Sequence, residues 1–298
     1  RNTTGTGVGI AYGNGLWVAL GNGINSSSIS TSSNNGISWA AATNIFTNGY
    51  CAAYGKDGAG NGLWVAGGYS GGGNTSTIFA SSTNGTTWTK INTTVFSNNC
   101  RNVVYANGIW VALGATNERC TIATSTDGTV WNARASTILS AGYCAAYGNG
   151  IWIAGGQVVS GNAIVKSTDN GNTWVGVNST FFTSCWDVIY TGSLWVAVGA
   201  GGNTIATSTN GISWTGRGAT VFTGEGKGVA YGQDGSGAGL WVAVGSGGNS
   251  IATSTDGINW TGRGLVLTSY GESVAYGKDG SGNGLWVAVG YNGGGGNI

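Results

Sequence analysis

The chain has 298 residues, of which only 7% are charged; its net charge is +1, with 60 glycines, 14 tryptophans and neither histidine nor proline. So small a charge lacks the clustered basic surface that nucleic-acid binding requires. The absence of histidine removes histidine-ligated zinc and Ser–His or Cys–His nucleophile pairs. No run approaches the roughly 18 apolar residues of a membrane-crossing helix, so neither nucleic acid nor membrane insertion is expected.

A repeat organises the sequence. Leu/Ile-Trp-Val/Ile-Ala occurs seven times, with its tryptophan at Trp17, Trp64, Trp110, Trp152, Trp195, Trp241 and Trp286, spaced 42 to 47 residues apart. A second motif, Ser-Thr-Asp/Asn-Gly-x-x-Trp with small variations, ends at Trp39, Trp88, Trp131, Trp174, Trp214 and Trp260. A fixed period of this length marks a repeat architecture. No linker interrupts it, so residues 1–298 read as a single domain.

Each repeat reads as four short strands rich in Val, Ile, Thr, Trp and Tyr, separated by Gly/Asn/Asp turns. In the sixth, the strands fall at Gly228–Tyr231, Leu240–Val244, Ile251–Ser254 and from about Asn259. Leu-Trp-Val-Ala-Val does not alternate polar with apolar, so both of its faces must be covered. Four-stranded antiparallel sheets packed face to face around an axis meet that demand. The expected fold is an all-β, seven-bladed β-propeller.

Ser167-Thr168-Asp169-Asn170-Gly171-Asn172-Thr173-Trp174 resembles the Asp-box, or BNR repeat, at every defined position. Ser32–Trp39 has the same length with Asn34 in the acid's place, and the other copies are one residue shorter. The resemblance implies a propeller in which Asn34, Asp127, Asp169, Asn210 and Asp256 bond neighbouring backbone amides in a hairpin and the tryptophan packs between blades. Asp-box propellers include sialidases, sortilin-type receptors and non-enzymatic proteins. Similar arrays carrying Leu-Trp-Val-Ala recur in surface proteins of large DNA viruses and bacteria. A sialidase needs an arginine triad, a Tyr–Glu pair and an Arg-Ile-Pro segment, and this chain has no proline. Arg217 and Arg263 share one repeat position and read as lattice residues. Hence no catalytic residues are assigned.

Repeats two, six and seven carry a glycine-rich insert between the first two strands, from Tyr54, Tyr231 and Tyr276 to Gly62, Gly239 and Gly284. One carboxylate per loop falls short of the six to eight oxygens calcium takes, so these read as hairpins without a metal. No cofactor is expected.

When the first strands are aligned on their conserved-in-register tyrosines, the position four residues upstream holds Val8, Tyr50, Arg101, Tyr143, Trp186, Lys227 and Glu272. In a propeller this register rings one mouth of the channel. Tyr50, Arg101, Tyr143, Trp186, Lys227 and Glu272 are therefore the candidate binding residues, suited to a glycan or peptide; the plain alternative is a variable, solvated mouth.

Cysteines occupy staggered positions in neighbouring repeats, which predicts the bridges Cys51–Cys100 and Cys144–Cys185, with Cys120 left free or used between chains. Each would close a loop worth roughly 4 kcal/mol in the chain-entropy model and imply an oxidising compartment. Finally, Gly295–Ile298 aligns with Gly248–Ile251 of repeat six, so the seventh blade is expected to be incomplete. That leaves the strand formed by Leu285, Trp286, Val287, Ala288 and Val289 as an apolar edge for another chain, unless a longer protein finishes the blade.

The first functional expectation is a non-catalytic extracellular, cell-surface or virion-surface propeller, structural and binding in role. Its partners would be copies of itself or another surface protein. The alternatives are a carbohydrate-binding propeller and a glycoside hydrolase of sialidase-like fold.

Overall fold

The structure is a computed structural model that describes residues 6–24, 27–69, 78–115, 120–135, 138–159, 161–278, 283–292 and 296–297. Among these residues there is no helix, and each repeat is built from consecutive antiparallel strands.

The first strands of the repeats are Thr6–Gly13, Asn48–Lys56, Asn99–Ala106, Leu139–Gly148, Ser184–Tyr190, Gly226–Gln233 and Tyr270–Lys278. The second strands are Leu16–Ile24, Gly62–Tyr69, Ile109–Ala115, Ile151–Val159, Trp195–Ala200, Gly239–Gly245 and Gly284–Asn292. Third strands follow at Ser27–Ser32, Phe79–Ser82, Ile122–Ser125, Asn162–Ser167, Ile205–Ser208, Ile251–Ser254 and Gly296–Asn297. Short fourth strands close the first six repeats, at Ala40–Ala41, Thr89–Ile91, Asn132–Ala135, Val175–Gly176, Thr215–Gly216 and Thr261–Gly262. The strands expected for repeat six thus form, with the fourth starting two residues later than the sequence placed it.

The chain divides into two compact units, residues 1–145 with 169–174, and residues 146–168 with 175–298. Each is built by the same local rules. Where no insert is present, repeats one, three and four turn from first to second strand through Asn14-Gly15, Asn107-Gly108 and Asn149-Gly150. Both residues of each pair have positive φ, 48° to 78°, the two-residue hairpin geometry that Asn-Gly favours. In repeats two and six the insert's aspartate holds the turn. Asp57 accepts from the amides of Ala59 and Asn61, and Asp234 from those of Ser236 and Ala238.

Across each hairpin the register sets tyrosine opposite tryptophan, as in Tyr190↔Trp195 and Tyr231↔Trp241. All seven pairs have ring centroids 4.7 to 5.3 Å apart. The apolar second strand shows why it lacks alternation. Its two faces meet two different neighbours. In the first unit, Val18 and Leu20 of repeat one share a core with Trp64 and Ala66 of repeat two. Leu63 and Val65 of repeat two do the same with Trp110 and Ala112 of repeat three. In the second unit, Val196 and Val198 meet Trp241 and Ala243, and Val242 and Val244 meet Trp286 and Ala288. One face therefore gives Leu/Val knobs to the next repeat, and the other gives Trp and Ala to the previous one.

The seven tryptophans are not equally buried. Trp64, Trp110, Trp152, Trp195 and Trp241 are at most 3% exposed, whereas Trp17 and Trp286 are half-buried. In repeat one, Ile10 and Tyr12 are 59% and 57% exposed. In repeat seven, Val287 and Val289 are 50% and 38% exposed, whereas their counterparts Val242 and Val244 are 7% and 0%.

Candidate functional site

The six turns before the fourth strands repeat one hydrogen-bond pattern. Asp256 Oδ1 accepts from the amides of Ile258 and Asn259, each at 2.8 Å, and from Ser254 Oγ. Asp127 Oδ1 takes the amides of Thr129 and Val130 at 2.7 and 2.8 Å. Asn210 and Asn84 make the same pairs of bonds through their amide oxygens. In the two longer copies, Asn34 accepts from the Ser38 amide and Asp169 from the Thr173 amide. The added residue there, Asn35 or Asn170, is left-handed, with φ of 56° or 55°. Each turn's tryptophan donates its indole N–H to the turn glycine's carbonyl, as Trp131 does to Gly128 and Trp260 to Gly257. These amides hold the Asp256 carboxyl well below the usual carboxylate range. The side chains are thus engaged in holding the turn.

Three arginines share one bonding pattern. Arg134, Arg217 and Arg263 each donate Nε–H to a threonine hydroxyl one strand away, Thr124, Thr207 and Thr253, at 2.7 to 2.8 Å.

The upstream register of the first strands brings aromatic and cationic side chains together in pairs, one in each unit. In the first unit, the Arg101 guanidinium lies 5.1 Å from the centroid of the Tyr143 ring, with Arg101 exposed and Tyr50 and Tyr143 half-buried. In the second unit, Lys227 Nζ lies 4.2 Å from the centroid of Trp186 and 3.0 Å from Glu225 Oε1. Glu272 is exposed. Each cation caps an aromatic face from a neighbouring repeat, Arg101 one from the following repeat and Lys227 one from the preceding repeat, an arrangement favoured by the ring quadrupole. That face of Trp186 is therefore taken by an ammonium group and is closed to a stacking sugar.

Asp187, one residue on from Trp186, was not among the register's candidates. It is the only carboxylate at a position that holds Gly, Cys, Asn or Ser in the other repeats. Burial pushes its pKa up to about 6, against the amides of Val229 and Val188, which favour the charged form. Both oxygens are used, Oδ1 by Val188 N–H at 2.9 Å and Oδ2 by Val229 N–H at 3.0 Å. The carboxyl thus ties repeat five to repeat six.

A further feature of the second unit is an open depression of about 440 Å³ at the downstream end of the first strands. It is lined by Tyr190, Tyr231, Tyr276, Ile189, Val229 and Val274, among others. The recurring tyrosine marked this register in the sequence, but as a lattice residue.

The cysteines are all buried and none is in a disulfide, so neither Cys51–Cys100 nor Cys144–Cys185 is bridged in this structure. Cys51 Sγ and Cys100 Sγ are 3.8 Å apart, a non-bonded contact. Cys120 is 1% exposed and donates to the carbonyl of Ile122, which places it away from any surface contact.

In the last repeat, Gly296–Asn297 pairs with Asn292 and Tyr291 only. Leu285–Val289 is hydrogen-bonded on one side to the first strand, and among the described residues no strand lies along its other side.

No protein-family model and no curated protein matches the chain. Solved structures do. YCF48 from Cyanidioschyzon merolae is similar over 97% of this chain and 94% of its own, at 14% identity and a TM-score of 0.59. The WD40 β-propeller domain of Doa1 is similar over 96% and 90%, at 8% identity and a TM-score of 0.59. A Niastella koreensis GH74 enzyme is similar over 96% of this chain, at 15% identity and a TM-score of 0.52, and the chain spans about half of that enzyme's length (51%). At these identities the likeness carries the fold alone. The chain is an all-β protein with a β-propeller fold.

Proposed function

We propose that the chain is a seven-bladed, Asp-box-type propeller that works without catalysis, as a structural and binding module on the outside of a cell or particle. It associates with copies of itself through its seventh blade. The carrying observation is the exposed apolar face of that blade. Between repeats one and two, two and three, five and six, and six and seven, the second strand sets its Leu/Val face against the Trp and Ala of the next repeat, yet Leu285, Val287 and Val289 are exposed. Among the described residues no strand lies along the other side of Leu285–Val289, and an edge of that kind invites strand addition. On the first repeat, Ile10 and Tyr12 are exposed, and their counterparts Ala52 and Tyr54 pack against the preceding repeat. A heterologous contact between unlike faces of this kind propagates from copy to copy.

The non-catalytic part rests on the acids. Both oxygens of Asp187 are occupied by backbone amides, Glu225 is paired with Lys227, and Asp127, Asp169 and Asp256 hold turns. A glycosidase places two free carboxylates roughly 5 to 10 Å apart. The test is sedimentation of the wild-type chain and of Val287→Lys across a concentration series. Self-association should appear in the wild type and vanish in the variant. A wild type that stays monomeric throughout contradicts the proposal.

A second reading is a carbohydrate-binding propeller, favoured by the tyrosine-lined depression at Tyr190, Tyr231 and Tyr276 and by exposed Arg101 beside Tyr143. It predicts glycan binding that Tyr231→Ala abolishes and Val287→Lys leaves intact.

A further inference from the structure

The packing between successive repeats follows a volume rule that is broken at the cysteines. Three residues beyond each second-strand tryptophan stand Leu20, Gly67, Leu113, Gly155, Val198, Val244 and Val289. Five residues before each first-strand tyrosine stand Gly7, Gly49, Cys100, Gly142, Cys185, Gly226 and Gly271. The structure shows these positions facing each other from one repeat to the next. A Cβ on Gly49 would meet Leu20 Cβ at 2.9 Å, on Gly142 Leu113 Cβ at 2.8 Å, on Gly226 Val198 Cβ at 2.9 Å and on Gly271 Val244 Cβ at 2.6 Å. So the ordinary interface is a large aliphatic residue against glycine.

Between repeats two and three the bulk is exchanged: Gly67 replaces the aliphatic residue and Cys100 replaces the glycine. The space that Gly67 leaves is filled by two sulfurs. A Cβ there would lie 2.5 Å from Cys100 Sγ and 2.7 Å from Cys51 Sγ. Cys51 is Gly67's own cross-strand partner. Filling a lost leucine's volume requires no second cysteine, yet the first strand supplies one, in sulfur–sulfur contact with the other. In sequence the same triplet recurs as Cys144, Gly155 and Cys185, and the other repeats have neither the cysteines nor the glycine. The linkage of the three positions makes the pair a built feature.

We propose that Cys51, Gly67 and Cys100 form an oxidation site, at which the two thiols are converted to a disulfide that staples repeat two to repeat three. The oxidant is a low-molecular-weight disulfide such as oxidised glutathione. One cysteine thiolate attacks it and releases one glutathione, leaving a mixed disulfide. The second cysteine thiolate then attacks that bond and releases the other glutathione. One sulfur–sulfur bond forms and one breaks, and the two protons lost by the cysteines end on the two glutathiones. Burial of the finished pair, with Cys51 9% and Cys100 0% exposed, places the exchange before repeats two and three close on each other. The product bond, about 2.05 Å long, occupies the pocket that Gly67 keeps open.

The experiment refolds the full chain from denaturant in oxidised-to-reduced glutathione buffers, blocks residual thiols, and maps peptides without reduction. The expected product joins the Cys51 peptide to the Cys100 peptide. Its thermal midpoint should exceed that of the reduced chain by several degrees, and Cys51→Ser and Cys100→Ser should each remove that increment. Gly67→Ala keeps both cysteines and should shift the equilibrium toward the thiols, read from the same mapping. Blocked thiols at both positions after oxidative refolding, or either cysteine joined elsewhere, overturns the proposal. So does a bridge that Gly67→Ala leaves equally populated. Should Gly67→Ala fail to fold, the serine variants and the mapping decide.

Discussion

Trp195 is fully buried, while Trp17, in the same motif, is half-buried. Burial should set their worth. Trp195→Ala is expected to cost about 3–5 kcal/mol and Trp17→Ala clearly less, measured by denaturant unfolding. Equal costs would mean that Trp17 is covered in solution. Asp187 makes a separate prediction. Burial raises its pKa to about 6, so the folded chain holds this proton more tightly than the unfolded chain does. Its stabilising contribution is complete below the unfolded pKa near 4 and is lost as pH rises through about 6. Between about pH 5 and about pH 7 the unfolding midpoint should therefore fall with pH, and Asp187→Asn should flatten the slope. A wild-type midpoint that rises over that window contradicts the assignment. The sequence does not single out Asp187, because nothing in its neighbours reveals that Val229, 42 residues on, reaches back to it.

At the scale of the element, the turn before each fourth strand works through one side-chain acceptor and one left-handed glycine. Asp256→Ala removes the acceptor of the Ile258 and Asn259 amides and should cost about 1–3 kcal/mol. Asp256→Asn should cost little, since Asn34, Asn84 and Asn210 do the same task in their own repeats. Gly257 has φ of 73°, and a Cβ on it would meet Leu194 Cδ2 at 2.7 Å. Gly257→Ala therefore combines backbone strain with a clash and should destabilise more than Asp256→Ala. The opposite order in thermal unfolding would contradict this. These turns were legible in the sequence because a turn is a local object: Asp, Gly and Trp at fixed spacing fix its bonds. The strands of repeat six were legible for the same reason. The unequal burial of Trp17 and Trp286 was not, since it depends on what covers a face and not on the face itself. Nor was the capping of Trp186 by Lys227, which joins residues of neighbouring repeats.

For the whole molecule, period and strand count led to the propeller fold that the solved structures share, because each repeat must cover two apolar faces of its second strand. The candidate residues share a register in the sequence, and within each unit the structure pairs two of them, Arg101 with Tyr143 and Trp186 with Lys227. The staple between repeats two and three, once oxidised, should contribute about 4 kcal/mol in the chain-entropy model, confined to one of the two units. Association through the seventh blade remains the central claim, and amide hydrogen exchange over residues 284–292 tests it most directly. Exchange should be fast in dilute protein and should slow progressively as concentration rises, in step with the assembled fraction. Exchange that is fast at every concentration, or equally slow at every concentration, would contradict the account; equal slowness would mean that the strand is already covered within a single chain.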